Sequence, residues 1–158
     1  NKKGIEIGCG TGRFTKELNI NYGIDSSISM LQLAKQRGIH VFLGKAGNLP
    51  FKNNKFDFVL LMMSLCFIKN MGQTFKEIHR ILKKNGYLII GFIDQKSSLA
   101  KKYQNKKTKF YHKARFLTKR KLKYFFAKHH FNHFIKGEFQ LEKSIIFLKQ
   151  KKRFKRKK

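Results

Sequence analysis

At 158 residues and 18.7 kDa the chain has the size of one ordinary domain, and 41% hydrophobic residues with 17 Phe supply the material for a core. Its 37 Lys+Arg against 8 Asp+Glu leave a formal net charge of +29, which attracts polyanions without specifying a fold. No apolar run approaches the roughly 20 residues of a membrane-spanning helix, no secretory leader is visible, and Cys9 and Cys66 are too few for a disulfide framework or a zinc site, so a reducing, cytoplasmic setting is expected.

In chain order, KGIEIG (3–8) is a short β-type run ending on glycine, and Thr11 to Leu18 carries Phe14 and Leu18 at helical spacing. INYGID (20–25) is a second strand closing on Asp25. Ser26 and Ser27 then cap a helix with Ile28, Leu31 and Ala34 inward and Gly38 as its stop. IHVFLG (39–44) is the third strand. The nearly continuous apolar run KFDFVLLMM (55–63) fits a central strand buried on both faces. The spacing predicts a helix from Thr74 to Lys83 with Phe75, Ile78 and Leu82 inward, ended by Asn85-Gly86, and a fifth strand over YLIIGFI (87–93). Further helices are expected from Ser97 to Asn105 and over 119–130, the latter capped by Thr118 with Leu122, Phe125, Phe126 and His129 on one face. SIIFL (144–148) reads as a terminal strand. Alternation of strands and helices predicts an α/β domain, a Rossmann-like, doubly wound, mostly parallel sheet in three layers.

The most informative stretch is Glu6-Ile7-Gly8-Cys9-Gly10-Thr11-Gly12-Arg13. Three glycines at alternate positions between a strand and a helix let the backbone turn sharply and approach a ligand. Arg13 stands where a dinucleotide fingerprint needs its third glycine, and the Lys-Ser/Thr of a P-loop is missing. Glu6, just ahead of the loop, is a poor neighbour for a pyrophosphate and a good one for a cation. S-adenosylmethionine carries an ammonium and a sulfonium and no phosphate, so the loop favours it over NAD or ATP. Asp25, at the end of the next strand, is placed either to cap the following helix or to accept hydrogen bonds from ribose hydroxyls; after this glycine loop the ribose reading is the better one.

These residues resemble the class I S-adenosylmethionine-dependent methyltransferases, of the type-11 group. EIGCGTGRF is similar to that family's first motif, YGIDSSISML to its second, GNLPFKNNKFDFVLLM to its third and fourth, and EIHRILKKNGYLIIGF to the stretch through strand five. The likeness runs from residue 4 to about 93 and continues more loosely through FYHKARFLT (110–118) to His133. Carried over by position, it implies Gly8, Gly10 and Gly12 at the methionine and ribose end of the cofactor, with Glu6 on the amino group directly or through water. It implies Asp25 on the ribose hydroxyls and Ser26 and Met30 beside the adenine. Ala46, through its backbone N–H, and Asn48 are implied at the adenine edge, and Met62 against the methionine portion. Lys45 departs from the pattern: many relatives place an acceptor Asp there, and Lys cannot accept, so adenine recognition is expected to rest on backbone groups. A second departure is the start, because relatives carry a helical segment over the cofactor and this chain begins almost inside its first strand.

Other constellations are weaker. His129, His130 and His133 lack a nearby carboxylate and the H-E-x-x-H spacing, so a helix face is expected rather than a metal site. Cys66 reads as a structural thiol rather than a nucleophile. Tyr111 and His112 are candidates for a general base because FY-x-x-ARF can fold over the pocket, and packed aromatic and surface His are equally good descriptions. No catalytic residue or metal is assigned.

The expected organisation is a methyltransferase domain over 1–148, with a cofactor half (1–93) and a substrate-side extension (94–148), followed by a basic, disordered tail (149–158). Residues 1–94 hold 14 Lys/Arg and 6 Asp/Glu; residues 95–158 hold 23 against 2. Lys outnumbers Arg 30 to 7, which suits codon bias at least as well as a phosphate-gripping surface. The expected activity is methyl transfer to a small-molecule acceptor, with weak, salt-dependent polyanion binding through the tail. The alternatives are an RNA or DNA methyltransferase, for which the [DN]-P-P-[YF] and Pro-Cys motifs are absent, and a non-catalytic binding protein that keeps the fold.

Overall fold

A computed structural model describes residues 2–105, 111–134, 140–141 and 145–152. Five strands run parallel: β1 (Gly4–Ile7), β2 (Tyr22–Asp25), β3 (His40–Leu43), β4 (Phe56–Met62) and β5 (Leu82–Ile93), in the spatial order 3-2-1-4-5. Beyond β5 the sheet changes direction. Strand β8 (Ile145–Lys152) pairs antiparallel with β5 and with β6 (Phe131–Phe134), and the two-residue β7 (Gln140–Leu141) also pairs with β8. The helices are α1 (Arg13–Glu17), α2 (Ile28–Gln36), α3 (Met71–Ile81), α4 (Ser98–Asn105) and α5 (Lys119–Lys128). The expected α/β, largely parallel architecture is the one observed, and β1 has β2 on one side and β4 on the other. The strand order therefore reverses at β1, and open parallel sheets bind ligands at the carboxyl ends of the strands beside such a reversal.

The central strands are buried on both faces: all four residues of β1 are buried, the acid Glu6 among them, as are the apolar Phe56, Val59, Leu60 and Leu61 of β4. Phe75, Ile78 and Ile81 of α3 and Leu122 and Phe126 of α5 fill one continuous core with them. Ser27 caps α2 by accepting from the Met30 N–H, and Thr118 caps α5 by accepting from the Lys121 N–H, as the sequence predicts.

Several expectations need correction. On α2 the inward residues are Leu31 and Ala34, while Ile28 in the first turn is exposed; on α1 Phe14 and Leu18 are exposed and Thr15 is the buried residue. Helix α3 starts earlier than predicted, where the Asn70 side chain accepts from the Gln73 N–H, and it ends at Ile81. Leu82 is inward-facing as expected, but as the first residue of β5. The freed carbonyls of Arg80 and Ile81 accept from the N–H groups of Asn54 and Lys55, which closes the helix end without a glycine. Asn85-Gly86 lies inside β5, with Asn85 at φ +64°, where β5 and β4 slip register. Strand β8 runs through Lys152, four residues into the stretch expected to be a disordered tail. Lys152 is buried, and its ammonium donates to the Leu82 carbonyl at 2.6 Å and to Asn54 Oδ1 at 3.2 Å. Residues 153–158 lie outside the described residues.

Two tests follow from this packing. Deleting residues 149–158 removes the β8 pairing of Lys149 to Lys151 with β5 and the Lys152 anchor. At about 1 kcal/mol per sheet hydrogen bond, urea denaturation should show a loss of about 2–4 kcal/mol, where removal of a disordered tail leaves stability unchanged. His129 stacks on Phe75 and Phe125, its Nε2 is buried without a hydrogen-bond partner, and burial, with Lys128, Lys76 and His130 beside it, pushes its pKa down. The unfolded chain therefore takes up the proton first, at roughly pH 6.5, and this site costs stability as the pH falls below that. The urea midpoint of a His129→Phe variant should drop less between pH 7.5 and pH 5.5 than that of wild type; equal drops would contradict the assignment.

Candidate functional site

The turn from β1 into α1 uses its three glycines for three different reasons. At Gly8 a Cβ would lie 2.5 Å from the Ser64 Cβ, and Ser64 is held there by donating to the Ile7 carbonyl at 2.9 Å. At Gly12 a Cβ would meet Ile39 Cδ1 at 2.3 Å and Ala34 Cβ at 2.9 Å, so that glycine lets α2 pack against the turn. Gly10, at φ +53°, has nothing within 4 Å of its would-be Cβ. Close packing by itself requires the small residue at 8 and 12, and Gly10 is the one of the three with open space above it. The Gly8 and Cys9 N–H groups both donate to the Ile24 carbonyl, at 2.7 and 3.1 Å, which fastens the turn to β2.

Two acids flank this turn. The Glu6 side chain is enclosed, at 1% exposure, and accepts from the Thr15 hydroxyl. Burial pushes its pKa up to about 7, with the Asp25 charge adding a smaller push. Its carboxyl therefore ties β1 to α1 and is not open to solvent. Asp25, at the end of β2, is half-buried; its two carboxylate oxygens accept from the Gly10 N–H at 2.8 Å and the Ser27 N–H at 2.9 Å. The helix cap is Ser27, not Asp25. Cys9 is buried against Gly23, and its thiol is pushed up to about 12, mainly by burial, so it serves packing.

The remaining predicted residues lie at the same edge of the sheet. Ser26 is exposed and Met30 half-buried in the first turn of α2. Gly44 N–H donates to the Asp25 carbonyl at 3.0 Å, leading the chain past Lys45, half-buried Ala46 and exposed Asn48. Lys45 and Asn48 form an isolated β-bridge. Met62, half-buried, ends β4. The segment after β3 is held by a pair that the sequence reading did not single out. Arg80 and Glu77 of α3 bind each other through two 2.7 Å contacts, and Arg80 also donates to the carbonyls of Leu49 (2.9 Å) and Phe51 (2.6 Å) and to Asn53 Oδ1 (3.0 Å). Glu77 in turn accepts from the Leu49 N–H at 2.7 Å, and the Arg80 guanidinium holds its carboxyl below the usual range. An E-x-x-R spacing on a predicted helix was the available signal.

Past Met62 the chain turns through Met63, at φ +56°, into a 3-10 turn at Leu65–Phe67. Met63, Leu65 and Cys66, with Phe92 and Ile93 at the end of β5 and Phe116 and Leu117, line a shallow apolar recess with room for about one water. The segment 111–117 lies over the end of the sheet as expected: Arg115 N–H donates to the Cys66 carbonyl at 2.7 Å, and Leu117 bridges to Asp94. Tyr111 stacks on Tyr103 at 4.1 Å, and burial pushes its hydroxyl pKa up, the wrong direction for a base near neutrality. The His112 and His133 side chains lie outside the described residues. Among the described residues no group of three metal-ligating side chains occurs, and no helix is long and apolar enough to cross a membrane.

A methyltransferase-domain family model matches residues 5–90. An uncharacterized protein of Methanocaldococcus jannaschii is 47% identical over 118 residues, covering 73% of this chain and 58% of that protein. A demethylmenaquinone methyltransferase of Staphylococcus saprophyticus is 31% identical over 99 residues, covering 55% of this chain and 42% of that protein. The chain spans about half the length of these relatives. Among solved structures, a SAM-dependent methyltransferase of Thermotoga maritima, described as a possible histamine N-methyltransferase, superposes with a TM-score of 0.87 at 34% identity, covering 97% of this chain and 83% of that one. A SAM-dependent methyltransferase of Methanosarcina mazei shares the fold at 19% identity, with a TM-score of 0.76 and coverage of 96% and 92%.

The Glu77–Arg80 clamp makes its own prediction. Arg80→Ala removes the side-chain donor to the Phe51 carbonyl, one of two donors to the Leu49 carbonyl and the ion-pair partner of Glu77, and should cost about 2 kcal/mol in urea denaturation. Arg80→Lys should recover less than half of that, because an ammonium cannot fork between Glu77 and the two carbonyls. Full recovery by Lys would reduce the clamp to simple charge.

Proposed function

The chain belongs to the methyltransferase-domain family that matches its residues 5–90, and on that footing we propose that it transfers the methyl group of S-adenosylmethionine to a small-molecule acceptor. The observation that carries this reading is the open face over Gly10 between two acids, Glu6 beneath the turn and Asp25 beside it. A phosphate ligand is ill served by a turn with a carboxyl under it, whereas a ligand with a sulfonium and an ammonium is favoured. The demethylmenaquinone methyltransferase and the possible histamine N-methyltransferase among the similar proteins support a small acceptor.

The residues fit the cofactor. Gly10 leaves room for it. Asp25 is pre-oriented by two backbone N–H donors, and its remaining lone pairs can accept from the ribose hydroxyls. A cation over the turn favours the ionised form of Glu6, which burial otherwise pushes toward its neutral form. Ser26 and Met30 border the adenine, Ala46 and Asn48 contact its edge from the segment that Arg80 holds, and Met62 flanks the methionine chain. Gly8 and Gly12 set the shape of the turn. When bound, S-adenosylmethionine supplies an activated methyl group, so the protein's task is to align the acceptor and exclude water. The apolar ends of β4 and β5 and the Phe116 segment do this on the acceptor side.

Titration calorimetry tests the reading. Wild type should bind S-adenosylmethionine and S-adenosylhomocysteine. Asp25→Ala should weaken both by about tenfold or more through loss of charge-assisted hydrogen bonds. Gly10→Val should abolish binding, since a β-branched residue is strained at φ +53° and fills the open face. Thermal unfolding of each variant separates lost binding from lost fold. A folded wild type that gives no heat with either ligand overturns the proposal.

A further inference from the structure

Helix α5 turns Leu122 and Phe126 into the core, Phe126 against the ring of Phe75, and leaves Arg120, Lys121, Lys123, Tyr124, Ala127 and Lys128 exposed. Its outer face is therefore cationic around a single aromatic ring. Tyr124 follows Arg120 by four residues and Lys121 by three, and precedes Lys128 by four, so all three cations neighbour the ring on the helix surface. Tyr124 is 58% exposed, and the Lys128 ammonium lies 5.7 Å from its ring centroid. Ala127, one turn on, is too small to cover the ring.

No acid balances this face. Residues 95–134 hold 13 Lys/Arg and no Asp or Glu. The carboxylate of Asp94, just before them, is spent on the N–H groups of Lys96 and Lys119. A uniform drift of composition toward Lys does not explain the segregation, because α1 and α3 keep Glu17 beside Arg13 and Glu77 beside Arg80. Helix stability does not explain it either, since cations in the first turn of α5 oppose the helix dipole.

Independently of the methyl-transfer reading, we infer that the outer face of α5 is a docking surface for single-stranded RNA, with Arg120, Lys121 and Lys128 on phosphates and Tyr124 stacked on an unpaired base. Charge alone fits any polyanion, and the ring narrows the choice. A duplex hides its base faces inside the stack, whereas a single strand offers them to an aromatic side chain. RNA is the polyanion that presents unpaired bases without first being opened. An anionic bilayer fits less well. Helices that lie in a membrane surface insert their apolar face, and that of α5 is already committed to the core.

Fluorescence anisotropy of a labelled single-stranded RNA of about 12 nucleotides, at about 0.1 M salt, tests the inference. The full chain should bind, and so should a chain ending at Lys152, which keeps β8 and its anchor. Replacing Arg120 and Lys121 together by Gln should make the dependence of log Kd on log salt shallower by about 1.4, at about 0.7 per phosphate contact. Tyr124→Ala should weaken binding about fivefold or more with the salt slope unchanged, and Tyr124→Phe should restore it. The single strand should bind more tightly than the same sequence as a duplex, although the duplex is the more densely charged. The replaced residues face solvent, and thermal unfolding checks that each variant keeps its fold. Absence of binding, loss of binding on truncation at Lys152, indifference to Tyr124→Ala or preference for the duplex overturns the inference. Tyr124-dependent binding to phosphatidylserine vesicles in place of RNA overturns it as well.

Discussion

Glu6 is an acid enclosed at the end of β1, just ahead of the glycine turn, and its carboxyl is held there by the Thr15 hydroxyl. The constraint runs outward from that bond. Thr15 is the buried face of the short helix α1, so the acid sets where the helix sits, and the glycine turn must span the distance between them. The turn is fastened on its other side by the Ile24 carbonyl and by Asp25, whose carboxylate reaches Gly10 and the first turn of α2 at once. The Asp25 charge adds to the cost that burial puts on ionising Glu6.

The acceptor side rests on a different kind of force. Past β4, besides the backbone bonds that tie Arg115 to Cys66 and Leu117 to Gln95, the end of β5 meets the 111–117 segment through aromatic and aliphatic contacts among Ile93, Phe116, Tyr103 and Tyr111. Hydrogen bonds hold the glycine turn in one arrangement, whereas such contacts are non-directional and tolerate repacking.

The parts legible from the amino-acid order are those with short-range causes. Ser27 and Thr118 announce their helices because a hydroxyl before an apolar period can satisfy a free N–H. Residues 55–63 announce a central strand because only burial on both faces tolerates so unbroken an apolar run. What is missed has long-range causes. Asn85-Gly86 suits left-handed backbone, and a strand irregularity calls for that as readily as a helix end does. The Glu77–Arg80 pair looks like an ordinary surface ion pair until the segment at Leu49 and Phe51 is brought against it. Lys152 sits in a run of cations that reads as solvated, yet the Leu82 carbonyl lies where its ammonium can be buried. The direction Glu6 faces is hidden in the same way, since sequence places it at a strand end and only packing shows that its carboxyl is covered.

Strand β8 has one further consequence. Its partner β5 is complete by residue 93, and the residues that pair with it lie at 145–151, with β6 joined only through β8. The outer edge of β5 therefore waits, with its backbone groups unpaired, while more than a third of the chain is still being synthesised. Closing so distant a pair is slow, and an open apolar edge is where nascent chains stick to one another. The vulnerable period in the life of this protein is set by the order of its strands along the chain, and it lasts until residues 145–151 emerge.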